Sequence, residues 1–289
     1  MQRISKAAMY SAARAILTAL VLAMTVNGVI AQSKRNQIRI EYVLPKDPAH
    51  RPIYEQMKQA EVLEFVQQAL SSIRLPRPLR FSLMGCDGVV NAWYDGEAVT
   101  VCYEYIDEIL KNTPSKKMPL GITKLDVLAG PLLDVFMHEA GHAVFDILEV
   151  PIFGREEDAA DQFSAYLMLQ FDKERARRLI LGTAYYYTMD IQLSPDAQRS
   201  QVLALKKFSD EHGIPAQRFY NVLCIAYGAD PKLFADVVEQ QYLPKDRAEG
   251  CEDEYYQVTF AFKKLIEPHV GEQFTKRLSK IRSKLKEPQ

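Results

Sequence analysis

At 289 residues, 48% of them hydrophobic and 25% charged, the chain suits one large domain or two small ones with an ample core. Its 36 basic and 37 acidic residues leave a formal net charge of −1. That balance argues against a nucleic-acid surface as the main role.

The N-terminus reads as a targeting segment. Residues 1–14 carry Arg3, Lys6 and Arg14 and no acidic residue, and residues 15–30 are nearly all apolar or small. Val29 and Ala31 stand where a signal peptidase requires small side chains, so residues 1–31 are expected to be a signal peptide cleaved after Ala31. The apolar run is short for a retained anchor and contains Asn27 and Gly28. No later segment is long and apolar enough to span a bilayer. The mature chain, residues 32–289, is therefore expected to be exported, periplasmic or secreted, without stable membrane insertion.

Residues 38–44 largely alternate and predict a strand. Over residues 54–73, Met57, Ala60, Leu63, Val66, Leu70 and Ile73 recur at helical spacing, and Pro76 and Pro78 follow. Residues 79–83 predict a second strand. Residues 91–94 and 99–103 predict two more, joined through Asp95-Gly96, a strong hairpin signal. From Tyr105 onward the pattern is mostly helical, with a short helix at residues 107–110. Gly130-Pro131 predicts a break, with Pro131 at the first position of a helix running to about Leu148. Pro151 and Gly154 separate it from a helix over residues 155–169. The expected layout is α+β: a small antiparallel sheet with an edge strand, within about residues 36–104, beside a mainly helical body over about residues 105–289. His50 and His269 have no motif around them and read as surface residues.

An even number of cysteines in an exported chain predicts two disulfides among Cys86, Cys102, Cys224 and Cys251. Three pairings are possible. The local ones, Cys86 with Cys102 and Cys224 with Cys251, are preferred. Metal binding by these cysteines is disfavoured, since no C-x-x-C spacing exists.

The chemistry concentrates in His138-Glu139-Ala140-Gly141-His142, an H-E-x-x-H sequence inside an apolar helical pattern. Positions i and i+4 share a helix face, so His138 and His142 can hold one metal ion together. Glu139 can then take a proton from a metal-activated water. Fourteen residues separate His142 from Glu157-Asp158-Ala159-Ala160-Asp161. Glu157 is expected to be the third ligand, ahead of Glu156, which lies one residue off the Asp161 face. Asp161 suits the carboxylate that fixes a ligand imidazole from behind. Three protein ligands leave a fourth position open, the mark of a catalytic zinc site. Gly141 predicts the close approach of another backbone or of a substrate strand.

On these residues the chain resembles the zincin metallopeptidases, in the branch with glutamate as third ligand. Asn91-Ala92-Trp93-Tyr94 is similar to the edge strand of thermolysin-like peptidases, which implies that Asn91 and Ala92 bind the substrate backbone. Residues 137–163, with Cys86, Asn91-Ala92, Cys102 and the region around Cys224, also resemble a family of uncharacterised exported bacterial metallopeptidases. The interval between His142 and Glu157 is shorter than in thermolysin, so no substrate preference carries over. The resemblance implies Zn2+ as cofactor, a peptide or protein as substrate, and a His and a Tyr as further donors. His212 is the histidine available downstream. Tyr166, Tyr185, Tyr186 and Tyr187 are the phenols, with no ranking among them. The competing reading is a non-catalytic, zinc-stabilised periplasmic module that binds peptide. A purely structural site would have no need of Glu139.

Overall fold

The computed structural model describes residues 37–114, 118–193 and 209–271, together with Phe274, Leu278 and Lys280. The expected signal peptide lies outside these residues. No described helix is long and apolar enough to cross a membrane.

Strand β1 (Ile38–Tyr42) opens the described chain, followed by a 3-10 turn and helices α1 (Arg51–Gln59) and α2 (Val62–Leu70). One helix was expected over α1 and α2. It divides because Glu61 adopts a left-handed conformation, with φ 53°. The Tyr42 hydroxyl then accepts from Leu63 N (2.8 Å), satisfying a backbone donor that Glu61 leaves uncapped.

Strands β2 (Leu79–Met84), β3 (Ala92–Tyr94) and β4 (Ala98–Cys102) complete a four-stranded sheet in the order β1-β2-β4-β3. The α+β class is as expected, but the sheet is mixed rather than antiparallel. β1 pairs with β2, and β2 with β4, in parallel, with Ile38 opposite Leu79 and Met84 opposite Cys102. Only the β3–β4 hairpin is antiparallel, with Ala92 opposite Val101. The reason is connectivity: α1 and α2 form the crossover that makes β1 and β2 parallel, and the chain leaving β2 runs back through β3 before β4 pairs with β2 in the same direction. Every residue of β4 is buried, as befits an interior strand covered on both faces. β3 is an edge.

Helix α3 (Tyr103–Asn112) leads to α4 (Lys124–Ile147), the central element. Its start differs from expectation. Thr123 and Asp126 form a capping box, and the helix runs through Pro131 without ending. Helices α5 (Glu156–Met168) and α6 (Lys173–Leu193) pack on α4 from one side, while β3 and β4 pack on it from the other. Helix α7 (Pro215–Ala229) lies against α5 and α6, and α10 (Cys251–Leu265) lies against α7, after short helices α8 (Ala235–Glu239) and α9 (Lys245–Ala248). Both preferred cystine bridges are present, Cys86–Cys102 and Cys224–Cys251.

Two glycines set the α4–α6 crossing. A Cβ at Gly182 would fall 2.0 Å from Asp126 O, and one at Gly130 would fall 2.6 Å from Leu179 O. The Gly130-Pro131 pair thus marks a close helix contact, not a helix start. Gly182→Ala is expected to lower stability by about 3 kcal/mol or more, since backbone atoms cannot yield as a side chain would. Gly250→Ala, with open space around it, should be near neutral. Equal denaturation midpoints for the two variants would contradict this account of the crossing.

Candidate metal centre

Helix α4 is buried nearly all round, and its exceptions to apolarity are grouped. His138 is 3% exposed and Glu139 7% exposed, while His142 is half-buried. The imidazoles sit one turn apart, as i,i+4 spacing requires, and their Nε2 atoms approach to 3.1 Å. Glu157, from the first turn of α5, reaches over them: Oε2 lies 3.0 Å from His138 Nε2 and 3.4 Å from His142 Nε2. Donor atoms of His138, His142 and Glu157 all lie within 4.8 Å of one another. Gly141 makes this approach possible, because a Cβ there would lie 3.3 Å from Ala160 Cα and 3.2 Å from Phe163 Cδ1. Of the two uses expected for Gly141, the one found is a neighbouring helix backbone.

The outer nitrogens are held from behind. His138 Nδ1 is 2.8 Å from Asp161 Oδ1, and His142 Nδ1 is 2.7 Å from Glu156 Oε1. Glu156, the rejected alternative for third ligand, thus holds His142 as Asp161 holds His138. With carboxylates on both Nδ1 atoms, the protons belong there, and the Nε2 lone pairs face one another. Two facing lone pairs beside a carboxylate oxygen are satisfied by a cation, so the donor set fits a divalent metal. Burial opposes charge on His138, but Asp161 and Glu157 override it and push its pKa up to about 10, so without a metal a proton occupies Nε2 and a bound cation would displace it. Burial also opposes charge on Glu157, yet the three imidazoles around it hold its carboxyl far below the usual range. Glu139 is different: burial dominates and pushes its carboxyl up.

Sequence reasoning missed the residue that makes this charge tolerable. Arg218, on α7, donates to Asp161 through Nε (2.8 Å to Oδ2) and Nη2 (2.6 Å to Oδ1), a two-pronged pair that suits a planar guanidinium. Burial alone would raise Asp161, but Arg218 and His138 bring its pKa down to about 2. The guanidinium lies 4.7 Å from the Tyr187 ring centre. Tyr187 donates to Asp134 (2.9 Å), which also accepts from Ser164 (2.6 Å). A cavity of about 20 Å³ beside Asp134, Asp161 and Arg218 is roughly the space one water needs.

His212 comes from the loop before α7. Its Nε2 lies 2.9 Å from Glu157 Oε2, and its Nδ1 is 3.3 Å from Asp210. The Glu157 contact pushes the His212 pKa up. Arg155 fixes this loop by donating to Asp210 O (3.1 Å) and Glu211 O. The four candidate phenols divide. Tyr187 is committed to Asp134, Tyr166 packs on Phe262, and Tyr186 packs near Tyr105. Tyr185 lines an apolar cavity with Phe219 and Leu223.

Asn91 and Ala92 are at the start of the edge strand that packs on α4. Cys102 N bonds Asn91 O (3.1 Å) and Asp95 N bonds Ala98 O (3.1 Å), so alternation turns the backbone of Ala92 and Tyr94 outward. The Asn91 side chain accepts from Ala92 N (2.9 Å). Tyr94 and Arg77 both reach Asp146 (2.6 Å each), tying β3 to the end of α4. A separate apolar cavity of about 330 Å³, lined by Phe65, Leu132 and Phe136, opens on the opposite face of α4 and plays no part in this group.

A buried helix carrying H-E-x-x-H, a glutamate from the next helix and a mixed sheet with a free edge define a metallopeptidase-like centre. The chain belongs to the family described as "Putative metallopeptidase", whose model matches residues 42–266. No curated protein and no solved structure matches it.

Arg218→Met removes the partner of a buried carboxylate and is expected to cost about 3–5 kcal/mol. Urea denaturation measures this directly. A loss under about 1 kcal/mol, the range of an exposed pair, would contradict the role given to Arg218.

Proposed function

We propose that this chain is an exported zinc-dependent peptidase that hydrolyses peptide bonds, related to the thermolysin-like zincins. The observation that carries the reading is the convergence of His138 Nε2, His142 Nε2 and Glu157 Oε2, with the buried Glu139 next in sequence to His138 and within electrostatic reach of all three. The two cystine bridges suit an oxidising compartment, and support the reading of residues 1–31 as a cleaved signal peptide.

His138, His142 and Glu157 would hold Zn2+, which when bound supplies an acidified water and a Lewis acid for the scissile carbonyl. Glu139 takes the proton from the attacking water and passes it to the leaving amine. Burial raises its pKa toward the working pH, which suits both steps. Asp161 and Glu156 keep the imidazoles in the tautomer that turns Nε2 inward. His212 stands beside the group as the donor to the oxyanion, with Asp210 orienting it. The outward-facing Ala92 carbonyl and Tyr94 backbone hold an extended substrate as an added strand, with the Asn91 side chain, which accepts from Ala92 N, at its start.

Glu139→Gln is expected to keep one zinc per chain and to lower turnover of casein or a mixed-peptide substrate by about 10²–10⁴-fold. Metal content measured beside cleavage checks both halves. Full activity in the variant would remove Glu139 as the base. Zinc without cleavage in the wild type would favour a peptide-binding module. His212→Ala should lower kcat by about 10²–10³-fold with little change in KM, as for a donor acting only in the transition state. A change confined to KM would place His212 in ground-state binding instead.

A further inference from the structure

Seven large apolar side chains are exposed among the described residues, and two of them, Val89 (53%) and Val90 (43%), stand together just before edge strand β3. Neither belongs to the apolar core. Single exposed apolar residues are ordinary, but a consecutive pair continuous with an open strand edge marks a contact surface. The run Gly88-Val89-Val90-Asn91-Ala92-Trp93-Tyr94 holds no charged residue, and Asp87 and Asp95 bound it. Edge strands are ordinarily protected from pairing by a lysine, a proline or a bulge. No lysine or proline interrupts this run. Valine also has a strong preference for strands, so the segment is suited to receive one.

The segment is held stiffly. Val89 N donates to Cys86 O (3.1 Å), closing a tight turn in which Asp87 (φ 52°) and Gly88 (φ 90°) are both left-handed, the Asp-Gly pattern of a type I′ turn. The buried Glu104 carboxylate accepts from Cys86 N and Gly88 N (3.0 Å each), and the Cys86–Cys102 bridge fixes the turn to the end of β4. His50, expected at the surface, is instead 8% exposed, in the turn before α1, with its Nδ1 4.0 Å from Glu104 Oε1. Beyond the turn, Cys102 N bonds Asn91 O (3.1 Å), so the valines lead into the ladder just ahead of that bond. Tyr94 reaches Asp146 on α4, and alternation puts Ala92 and Val90 on that same side of the strand, the side of the motif helix. An anchored turn gives up little backbone freedom when a partner binds, so contact with the valines goes into affinity.

We propose that Val89 and Val90 form an apolar lip that selects substrates with an aliphatic side chain where the peptide passes the start of β3. This rests on the peptidase reading, in which the peptide adds to β3 as a strand. It supplies the substrate class which that reading leaves open: extended chains with an uncharged, aliphatic residue at that point. An aliphatic side chain laid on two valines removes apolar surface from water on both partners. A charged one would be desolvated there without a partner.

Peptide binding to the zinc-loaded Glu139→Gln chain reads the lip without requiring cleavage. A set of peptides of one length, each with leucine at a single position in a serine background, locates the residue that meets the lip. Leucine there is expected to tighten binding about tenfold over serine. Val89→Ser/Val90→Ser in the same chain should abolish that preference and leave those at other positions unchanged. Both valines are exposed, so the serines should cost little stability. Val90→Lys should turn the preference toward glutamate. No leucine preference at any position, or one that survives the double serine change, would overturn the proposal. A chain mass that halves in Val89→Ser/Val90→Ser would assign the valines to contact between two copies and overturn it as well. Wild-type cleavage, assayed alongside, judges the peptidase reading separately. Cleavage without the preference removes the lip alone, and preference without cleavage leaves the lip on a peptide-binding chain.

Discussion

Two imidazole nitrogens held 3.1 Å apart, both turned toward one glutamate oxygen inside a buried helix, are the constraint on which the rest of the structure depends. Such a cluster cannot be buried on its own terms. Each imidazole needs its proton fixed on the far nitrogen, each fixing carboxylate needs a counter-charge or solvent, and the helices must come close enough for Glu157 to reach. Asp161 and Glu156 meet the first need in different ways. Glu156 is exposed, and water screens its charge. Asp161 is enclosed, and the paired Arg218, with His138, makes its carboxylate tolerable there.

The polar chain therefore extends well beyond the ligands, from His138 through Asp161 and Arg218 to Tyr187, Asp134 and Ser164. These residues come from α4, α5, α6 and α7, so the helical body is organised around satisfying the centre as much as around its apolar core. Gly141 sets the spacing of α4 to α5, and Gly182 its spacing to α6. The sheet covers the remaining face of that helix. Its mixed pairing leaves β3 outermost, with outward backbone groups of Ala92 and Tyr94 on a strand that packs on the motif helix.

What could be read from the sequence follows from how local each signal is. The positions of His138, His142, Glu157 and Asp161 were legible because helical periodicity alone places them on facing surfaces. The β3–β4 hairpin was legible from Asp95-Gly96. Arg218 was not, because it meets Asp161 across 57 residues with no pattern to announce it. Parallel pairing of β1, β2 and β4 was missed because it depends on the α1–α2 crossover and on β3 lying between β2 and β4 in the chain. The unbroken run Ala98-Val99-Thr100-Val101-Cys102 was nonetheless available as the mark of an interior strand. Pro131 misled because a local helix-start signal was outweighed by the Thr123–Asp126 capping box and the contact at Gly130. His50 misled because nothing around it in sequence announces Glu104 and Tyr103 as neighbours.

The most direct test of the account is zinc-edge X-ray absorption on the oxidised, zinc-loaded chain, with the ligand shell read from scattering. The account predicts two imidazoles and light oxygen ligands at about 2.0–2.2 Å, with no sulfur, and loss of one imidazole in His142→Ala. Sulfur in the shell, or a spectrum unchanged by His142→Ala, would contradict it.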